Sequence, residues 1–313
     1  MKISVVVPTY LRPPDLARCL TAFKAQLRSV DELWVIVRDT DRKTWEFLET
    51  FDRGTLPLHI ATVTATGVIA AMNIGLESST GDIVAFTDDD AAPHPDWLEK
   101  IEAYYLTDEK VGGVGGRDWV YHGTKLEDGS QPIVGKLQWF GRLIGNHHIG
   151  SGEGREVDVL KGVNMSFRRN AIADLRFDQT MRGTGAQVHF EVVFSLTLRK
   201  QGWKLIYDPQ IAVDHFPAQR FDEDQRNSFN AQASVNAVHN ETVALLRYLP
   251  PLRRLVFAIW AIAIGTSEAF GLLQWLRYLP KEGDVARQKL WASWLGRWQG
   301  WQTYSAKLSN KPQ

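Results

Sequence analysis

The decapeptide Gly81-Asp82-Ile83-Val84-Ala85-Phe86-Thr87-Asp88-Asp89-Asp90 runs from a turn-forming pair through four apolar residues into three consecutive carboxylates. A short apolar run bounded by polar turn residues predicts a buried strand of a covered sheet. Three adjacent carboxylates repel one another when ionised, so their placement directly after such a strand needs a reason. Two are open at this point. The triplet is a solvated acidic loop that caps the next helix, or it holds a divalent cation, for which carboxylate oxygens are the preferred ligands of Mg²⁺ and Mn²⁺.

Outward from this strand the chain alternates. Ile3 to Val7, closed by Pro8, reads as a strand, Asp15 to Gln26 as a helix with Leu16, Cys19, Leu20 and Phe23 on one face, and Leu33 to Val37 as a second strand. Thr44 to Phe51 reads as a helix, His59 to Thr64 as a strand, Gly67 to Ser78 as a helix, and Pro95 to Tyr105 as the helix after the carboxylates. Such alternation predicts an α/β fold with a mostly parallel sheet covered by helices. Open parallel sheets bind ligands at the carboxyl ends of their strands. The polar residues there are Thr9, Asp39 and Asp88 to Asp90. Residues 112–156 are glycine-rich and aperiodic, and read as strands and long loops around a site. Glu191 to Gln201 reads as a helix and Lys204 to Tyr207 as a strand. The run Gly112-Gly113-Val114-Gly115-Gly116 lacks the G-x-G-x-x-G spacing and precedes the strand-like Trp119-Val120-Tyr121, which argues against a dinucleotide loop. No P-loop, zinc-ligand cluster or G-x-S-x-G is present.

Taken in order, these segments resemble the family-2 glycosyltransferases, inverting enzymes of the GT-A fold. The resemblance lies in Val5-Val6-Val7-Pro8-Thr9-Tyr10-Leu11-Arg12, Asp39, the segment 81–90 followed by Pro93, Pro95 and Asp96-Trp97-Leu98, Lys161-Gly162-Val163-Asn164-Met165-Ser166-Phe167-Arg168-Arg169, Gly202-Trp203-Lys204, Tyr207-Asp208-Pro209 and Asp214-His215. It covers about residues 3–217 and implies a nucleotide-diphosphate sugar as donor, with Mn²⁺ or Mg²⁺ as cofactor. It implies nucleotide-sugar contacts at Pro8, Thr9, Tyr10, Arg12, Asp39, Asn73, Asp88 and Asp89. Metal ligation falls to Asp88, Asp90 and His215, and contacts to the donor sugar or acceptor to Gly162, Asn164 and His189. Glu191 stands where the family's catalytic aspartate lies and is expected to be the base. Two departures stand out. Met72 replaces the arginine that often precedes Asn73, and the usual E-D pair is Phe190-Glu191. His147-His148 are adjacent, a poor spacing for one ion, and read as loop residues.

The chemistry such a site needs is limited. Inversion requires in-line attack by an acceptor hydroxyl, which one positioned carboxylate activates by roughly 10²–10⁴-fold. Charge on the departing diphosphate is met electrostatically, and no second carboxylic acid is required, unlike in a glycosidase. A nucleotidyltransferase would call for a glycine-rich basic loop after the first strand, and Thr9-Tyr10-Leu11-Arg12-Pro13-Pro14 contains no glycine. A degenerate nucleotide-sugar-binding or membrane scaffold protein is the alternative that Met72 and Phe190-Glu191 keep open.

Composition is that of an ordinary folded protein: 313 residues, 44% hydrophobic, 23% charged and one cysteine, Cys19, read as a buried inert thiol. The first residues lack the apolar length of a signal peptide, so a cytoplasmic start is expected. The net charge of zero conceals an asymmetry, because from Arg247 onward ten Lys/Arg face three Asp/Glu. Within that tail Leu255 to Leu276 is nearly all apolar and about the ~20 residues of a bilayer span. Glu268 in its middle would cost roughly 2.5–3.5 kcal/mol at the membrane centre, so a span and an interfacial helix both fit. Further on, Trp291, Trp294, Trp298 and Trp301 recur at helical spacing among Arg287, Lys289 and Arg297, as in a helix lying in a headgroup layer. The expected organisation is a catalytic domain over 1–245 and a helical, membrane-associating region over 246–313. The enzyme would then sit at the inner face of the cell membrane and serve a glycan or lipid-linked acceptor, with no nucleic acid as partner.

Overall fold

The computed structural model describes residues 1–221 and 228–309. Lys311, counted above among the tail's basic residues, lies outside them. The chain divides into two compact units. The first comprises Met1–Lys136, Ile144–Phe177 and Phe194–Ala218, and the second Leu137–Leu143, Asp178–Val193 and Gln219–Gln313.

The first unit carries the sheet. In chain order the strands are β1 (Ile3–Thr9), β2 (Glu32–Arg38), β3 (Leu58–Val63), β4 (Ile83–Phe86), β5 (Ala91–Pro93), β6 (Val111–His122), the short β7 (Lys125–Leu126), β8 (Lys136–Leu137) and β9 (Leu143–Ile144), then β10 (Arg155–Val157), β11 (Met165–Arg168) and β12 (Lys204–His215), with β8 and β9 pairing apart from the large sheet. The spatial order is β10-β12-β6-β11-β4-β1-β2-β3, with β5 beside β12 and β7 beside β6. β3, β2, β1 and β4 are mutually parallel, and β12 runs parallel to β6. β11 joins the two blocks, antiparallel to both β4 and β6. The carboxyl ends of β1, β2, β4, β6 and β12 therefore share one edge. Helices α1 (Pro13–Lys24), α2 (Arg42–Thr50), α3 (Val68–Ser78) and α4 (Trp97–Thr107) connect the early strands. Strands β1, β2 and β4 are buried almost throughout, as strands covered on both faces must be. Met72 is buried in α3. The alternation read from sequence thus appears as expected.

Two strands run longer than the sequence marks. The glycine-rich stretch from residue 112 forms a twelve-residue strand, β6, in the middle of the sheet. A Cβ on Gly116 would lie 1.7 Å from the Ile211 carbonyl oxygen and 2.7 Å from that of Asp208. The residue is glycine because two backbones meet there. The expected short strand from Lys204 likewise continues to His215 as β12, with a register irregularity between Asp208 and Ala212. Pro209 lies within it, where a missing N–H would interrupt a regular ladder. The irregularity carries the chain past Pro209 and delivers His215 to the site edge. Gly116→Ala has no side-chain atom that could yield, so it is expected to cost at least about 3 kcal/mol. Gly145→Ala, with nothing within 4 Å of the new methyl, should be near neutral, and thermal melts of the two variants check the contrast.

The second unit is helical: α6 (Ala231–Tyr248), α7 (Pro251–Ala263), α8 (Leu272–Glu282) and α9 (Asp284–Ser309). Helix α5 (Phe190–Lys200) has its first turn in this unit and the rest in the first. Gly296 and Gly300 let α9 lie close on α6, since a Cβ on either would meet Val235 or Thr242 at 2.7 Å. The apolar run Leu255–Leu276 is not one helix. It breaks between α7 and α8, where Gly265 takes φ +70° and bridges to Phe270, and the Thr266 hydroxyl accepts the Ala269 N–H. Among the described residues no helix is long and apolar enough to cross a membrane, which corrects the spanning option.

Candidate active site

The loop after β1 is held from two sides. Leu11 sits in the left-handed region at φ 58°, an unfavourable place for a branched side chain. Asp41, fully buried, holds it there by accepting the Leu11 N–H at 2.6 Å while capping α2 through Thr44 N–H at 3.1 Å and Thr44 Oγ at 2.6 Å. The second anchor is Asp89, which accepts Thr9 Oγ1 at 2.8 Å and Arg12 Nη1 at 2.9 Å. Thr9 and Asp89 were expected to contact the nucleotide. The two side chains bond each other and so fix the loop's shape. Tyr10 is exposed at the turn, Pro8 pairs in register with Ile36, and Asp39 lies half-exposed just beyond β2.

The other two carboxylates of the triplet turn to a different partner. Asp88, Asp90 and His215 each offer one ligand atom, all within 4.8 Å of one another. The backbone enforces the meeting. β5 pairs with the end of β12, His215 opposite Ala91, and the Phe216 N–H donates to the Asp90 carbonyl at 2.9 Å. The Asp90 side chain also accepts the Ala218 N–H at 2.9 Å. His215 Nε2 lies 3.4 Å from Asp90 Oδ1 and, although buried, has no hydrogen-bond partner. On its other side Nδ1 faces Asp118 Oδ2 at 3.4 Å, and Lys161 Nζ donates to that same oxygen at 2.5 Å. Asp118, fully buried near the end of β6, thereby orients the imidazole, the usual arrangement behind a ligating histidine.

Electrostatics separate the members. Burial pushes the Asp89 carboxyl up to about 7, against the pull of Arg12 and with the charge of Asp90 adding to the rise. Burial opposes ionisation of Asp90 as well, but the contact with His215, the His215 charge, the Ala218 N–H and Arg12 outweigh it and hold the group well below the usual carboxylate range. Burial would lower His215, and Asp118 and Asp90 together raise it to about 9. The carboxylates on either side of the ring thus favour its charged form. A buried imidazole nitrogen without a partner beside two carboxylates is a donor set that suits a divalent cation.

Other expected contacts are otherwise engaged. Asn164 accepts Trp97 Nε1–H at 2.9 Å and donates to the Ile211 carbonyl at 2.8 Å and the Arg117 carbonyl at 3.2 Å. Its buried amide is a three-way tie that fixes the backbone of this segment. Asn73 exchanges two hydrogen bonds with the backbone of Phe177, at 3.0 Å and 2.8 Å, and so pins that segment. Gly162 lies in the tight turn closed by the Asn164 N–H to the Lys161 carbonyl at 3.0 Å. His147 is buried, bonded to the Val159 carbonyl at 2.9 Å.

In the second unit Glu191 stands in the first turn of α5. The approach to it is unusual, since Gln187 and His189 take φ 43° and 73°. Non-glycine residues so placed cost of order 1 kcal/mol or more each and persist only where surroundings fix them. Asn240 on α6 supplies that fixing by accepting the Arg182 N–H at 2.8 Å and donating to the Arg182 and Val188 carbonyls at 2.9 and 3.0 Å. Asp41, Asp118 and Asn240 were not among the residues singled out from sequence. Asp41, three residues before Thr44 at a predicted helix start, carried a capping signal. Asp118 and Asn240 carried none, because their roles depend on strand and helix neighbours distant in sequence.

The whole chain superposes on solved glycosyltransferase structures of the GT-A type. The fragment 1–349 of S. aureus TarS in complex with UDP-GlcNAc aligns with a TM-score of 0.59 at 15% identity, over 100% of this chain and 93% of that one. The mannosyltransferase PcManGT from Pyrobaculum calidifontis, in complex with GDP-Man and Mn²⁺, gives 0.52 at 18% identity, over 99% and 88%. At such identities the likeness speaks for the fold. In sequence the chain is 28% identical over 226 residues to the glucosyl-dolichyl phosphate glucuronosyltransferase of Haloferax volcanii, covering 69% of each, and 34% identical over 101 residues to glycosyltransferase AglE of the same organism, covering 31% of this chain and 33% of that one. The family model for glycosyl transferase family 2 matches residues 4–176, more than half of the chain, and the protein belongs to that family.

Proposed function

We propose that this glycosyltransferase is a metal-dependent, inverting enzyme that moves a sugar from a nucleotide-diphosphate donor to a hydroxyl of a glycan or lipid-linked acceptor at a membrane surface. The observation that carries the metal is the buried, unpartnered Nε2 of His215 beside Asp88 and Asp90. Those three residues would hold Mn²⁺ or Mg²⁺, and a nitrogen ligand favours the transition ion. Bound there, the ion would supply positive charge to the leaving diphosphate. The chain's own residues do the rest. Asp118 and Lys161 keep His215 turned toward the carboxylates, the loop Thr9 to Arg12 shapes the nucleotide end, Asp39 contacts the base, and Glu191 takes the acceptor proton. The relative named a glucosyl-dolichyl phosphate glucuronosyltransferase supports a lipid-linked acceptor.

Thermal melts with UDP, GDP and dTDP, each with Mn²⁺, Mg²⁺ or EDTA, test this reading. One nucleotide should stabilise only with metal, by about 2.7 kcal/mol at a hundredfold excess over Kd, and EDTA should abolish the shift. Stabilisation that survives EDTA would remove the metal from the proposal, and no stabilisation by any pair would remove the nucleotide donor.

A further inference from the structure

Helix α8 buries none of its eleven residues, yet it displays Leu272, Leu273 and Leu276 to the surroundings. Isolated helices of this length are marginal in water, and most helical stability comes from packing an apolar face. Preceding it, α7 turns Phe257 and Ala261 inward and bares Leu252, Leu255, Ile259 and Ile262 along its opposite face. Ile264 is exposed in the connector. The α7–α8 hairpin thus carries large bare aliphatics on both limbs, far more than scattered surface residues would give. Cations and indoles come next in the chain. Arg277 and Lys281 are exposed on α8, and Trp291, Trp298 and Trp301 on α9.

We infer that the α7–α8 hairpin is a monotopic membrane anchor that inserts its aliphatic face into the acyl boundary of an anionic bilayer. Arg277 and Lys281 meet the headgroup phosphates, and the α9 tryptophans are suited to the interfacial layer. Charge chooses this occupant over a second copy of the chain. A two-fold contact presses a patch against itself, and the hairpin Pro251–Glu282 holds Arg253, Arg254, Arg277 and Lys281 against Glu268 and Glu282, the last already paired with Lys289, so the pairing would set like charge against like. The break at Gly265 and the exposed Glu268 in the connector keep the hairpin at the interface rather than across the bilayer.

The test is flotation of the full chain with vesicles of phosphatidylcholine, with and without 30% phosphatidylglycerol. The wild-type protein should float with the anionic vesicles and bind less as salt rises. Ile259→Ser/Ile262→Ser and Leu273→Ser/Leu276→Ser should each lower partitioning at least tenfold, and Arg277→Glu/Lys281→Glu should remove the preference for phosphatidylglycerol. Circular dichroism spectra should stay unchanged, since these side chains are exposed. The proposal is overturned if the wild type stays with the unbound fraction at every composition or if the serine variants bind as it does. It is equally overturned if sedimentation shows a dimer that those variants split while vesicles bind neither form. Anchoring does not depend on the transfer site, so Asp90→Asn must float like the wild type even where it loses nucleotide binding, and each proposal can fail alone.

Discussion

Replacing Asp90 with asparagine is expected to abolish metal-dependent nucleotide stabilisation and to lower transfer by at least about 10²–10³-fold, the loss typical of removing one electrostatic contribution to a developing anion. The substitution is nearly isosteric. Its amide oxygen can still accept the Ala218 N–H that Asp90 now accepts at 2.9 Å, and the backbone bond from Phe216 N–H to the residue 90 carbonyl, also 2.9 Å, is untouched. The strand end should therefore hold its shape. What disappears is the charge 3.4 Å from His215 Nε2, and with it half of the carboxylate complement offered to a cation. Melting the variant with nucleotide and Mn²⁺ separates the effects. A normal melt without ligand and no shift with ligand is the expected pair, whereas a full metal-dependent shift would place the ion elsewhere.

That Asp90 could be picked out from sequence while Asp118 could not has a physical explanation. Asp90 follows a four-residue apolar run, and the local rule that a buried strand ends at its last apolar residue puts the carboxylate at the sheet edge whatever the rest of the chain does. Asp118 sits inside β6, a strand with four glycines among its first six residues. Gly115 and Gly116 answer to close backbone approach by the Asn164 turn and β12, and Gly112 and Gly113 to the side chains of Trp203 and Leu205, tertiary demands that erase the alternation by which a strand is recognised. The same gap hid the length of β12, where Pro209 reads as a stop and the register irregularity carries the strand onward. Within the triplet the sequence assigned Asp89 to the ligand alongside Asp88. Only the fold reveals that Arg12 and Thr9 reach back to claim it, since neither contact lies within seventy residues of it in the chain. Helices followed the same divide. The apolar run Leu255–Leu276 has the composition of a span, but its outcome was decided by Gly265 and the Thr266 turn, which open a hairpin.

Glu191→Gln should leave nucleotide binding intact and reduce transfer by roughly 10²–10⁴-fold, the contribution of a general base to attack by a hydroxyl. The glutamine keeps the length of the side chain in the first turn of α5 and removes its charge and its ability to accept a proton. The lead-in explains why so conservative a change is informative. Gln187 and His189 hold left-handed backbone angles, and Asn240 ties the segment at Arg182 and Val188, so position 191 is set by backbone contacts that the substitution does not touch. The melt with nucleotide and metal should match the wild type, which locates the loss in chemistry and not in donor capture. Glu191→Asp, one methylene shorter, should recover part of the rate because a carboxylate is restored at a slightly longer reach. Equal rates for the glutamine variant and the wild type would exclude Glu191 as base. A glutamine variant that also lost nucleotide stabilisation would make it a binding residue instead.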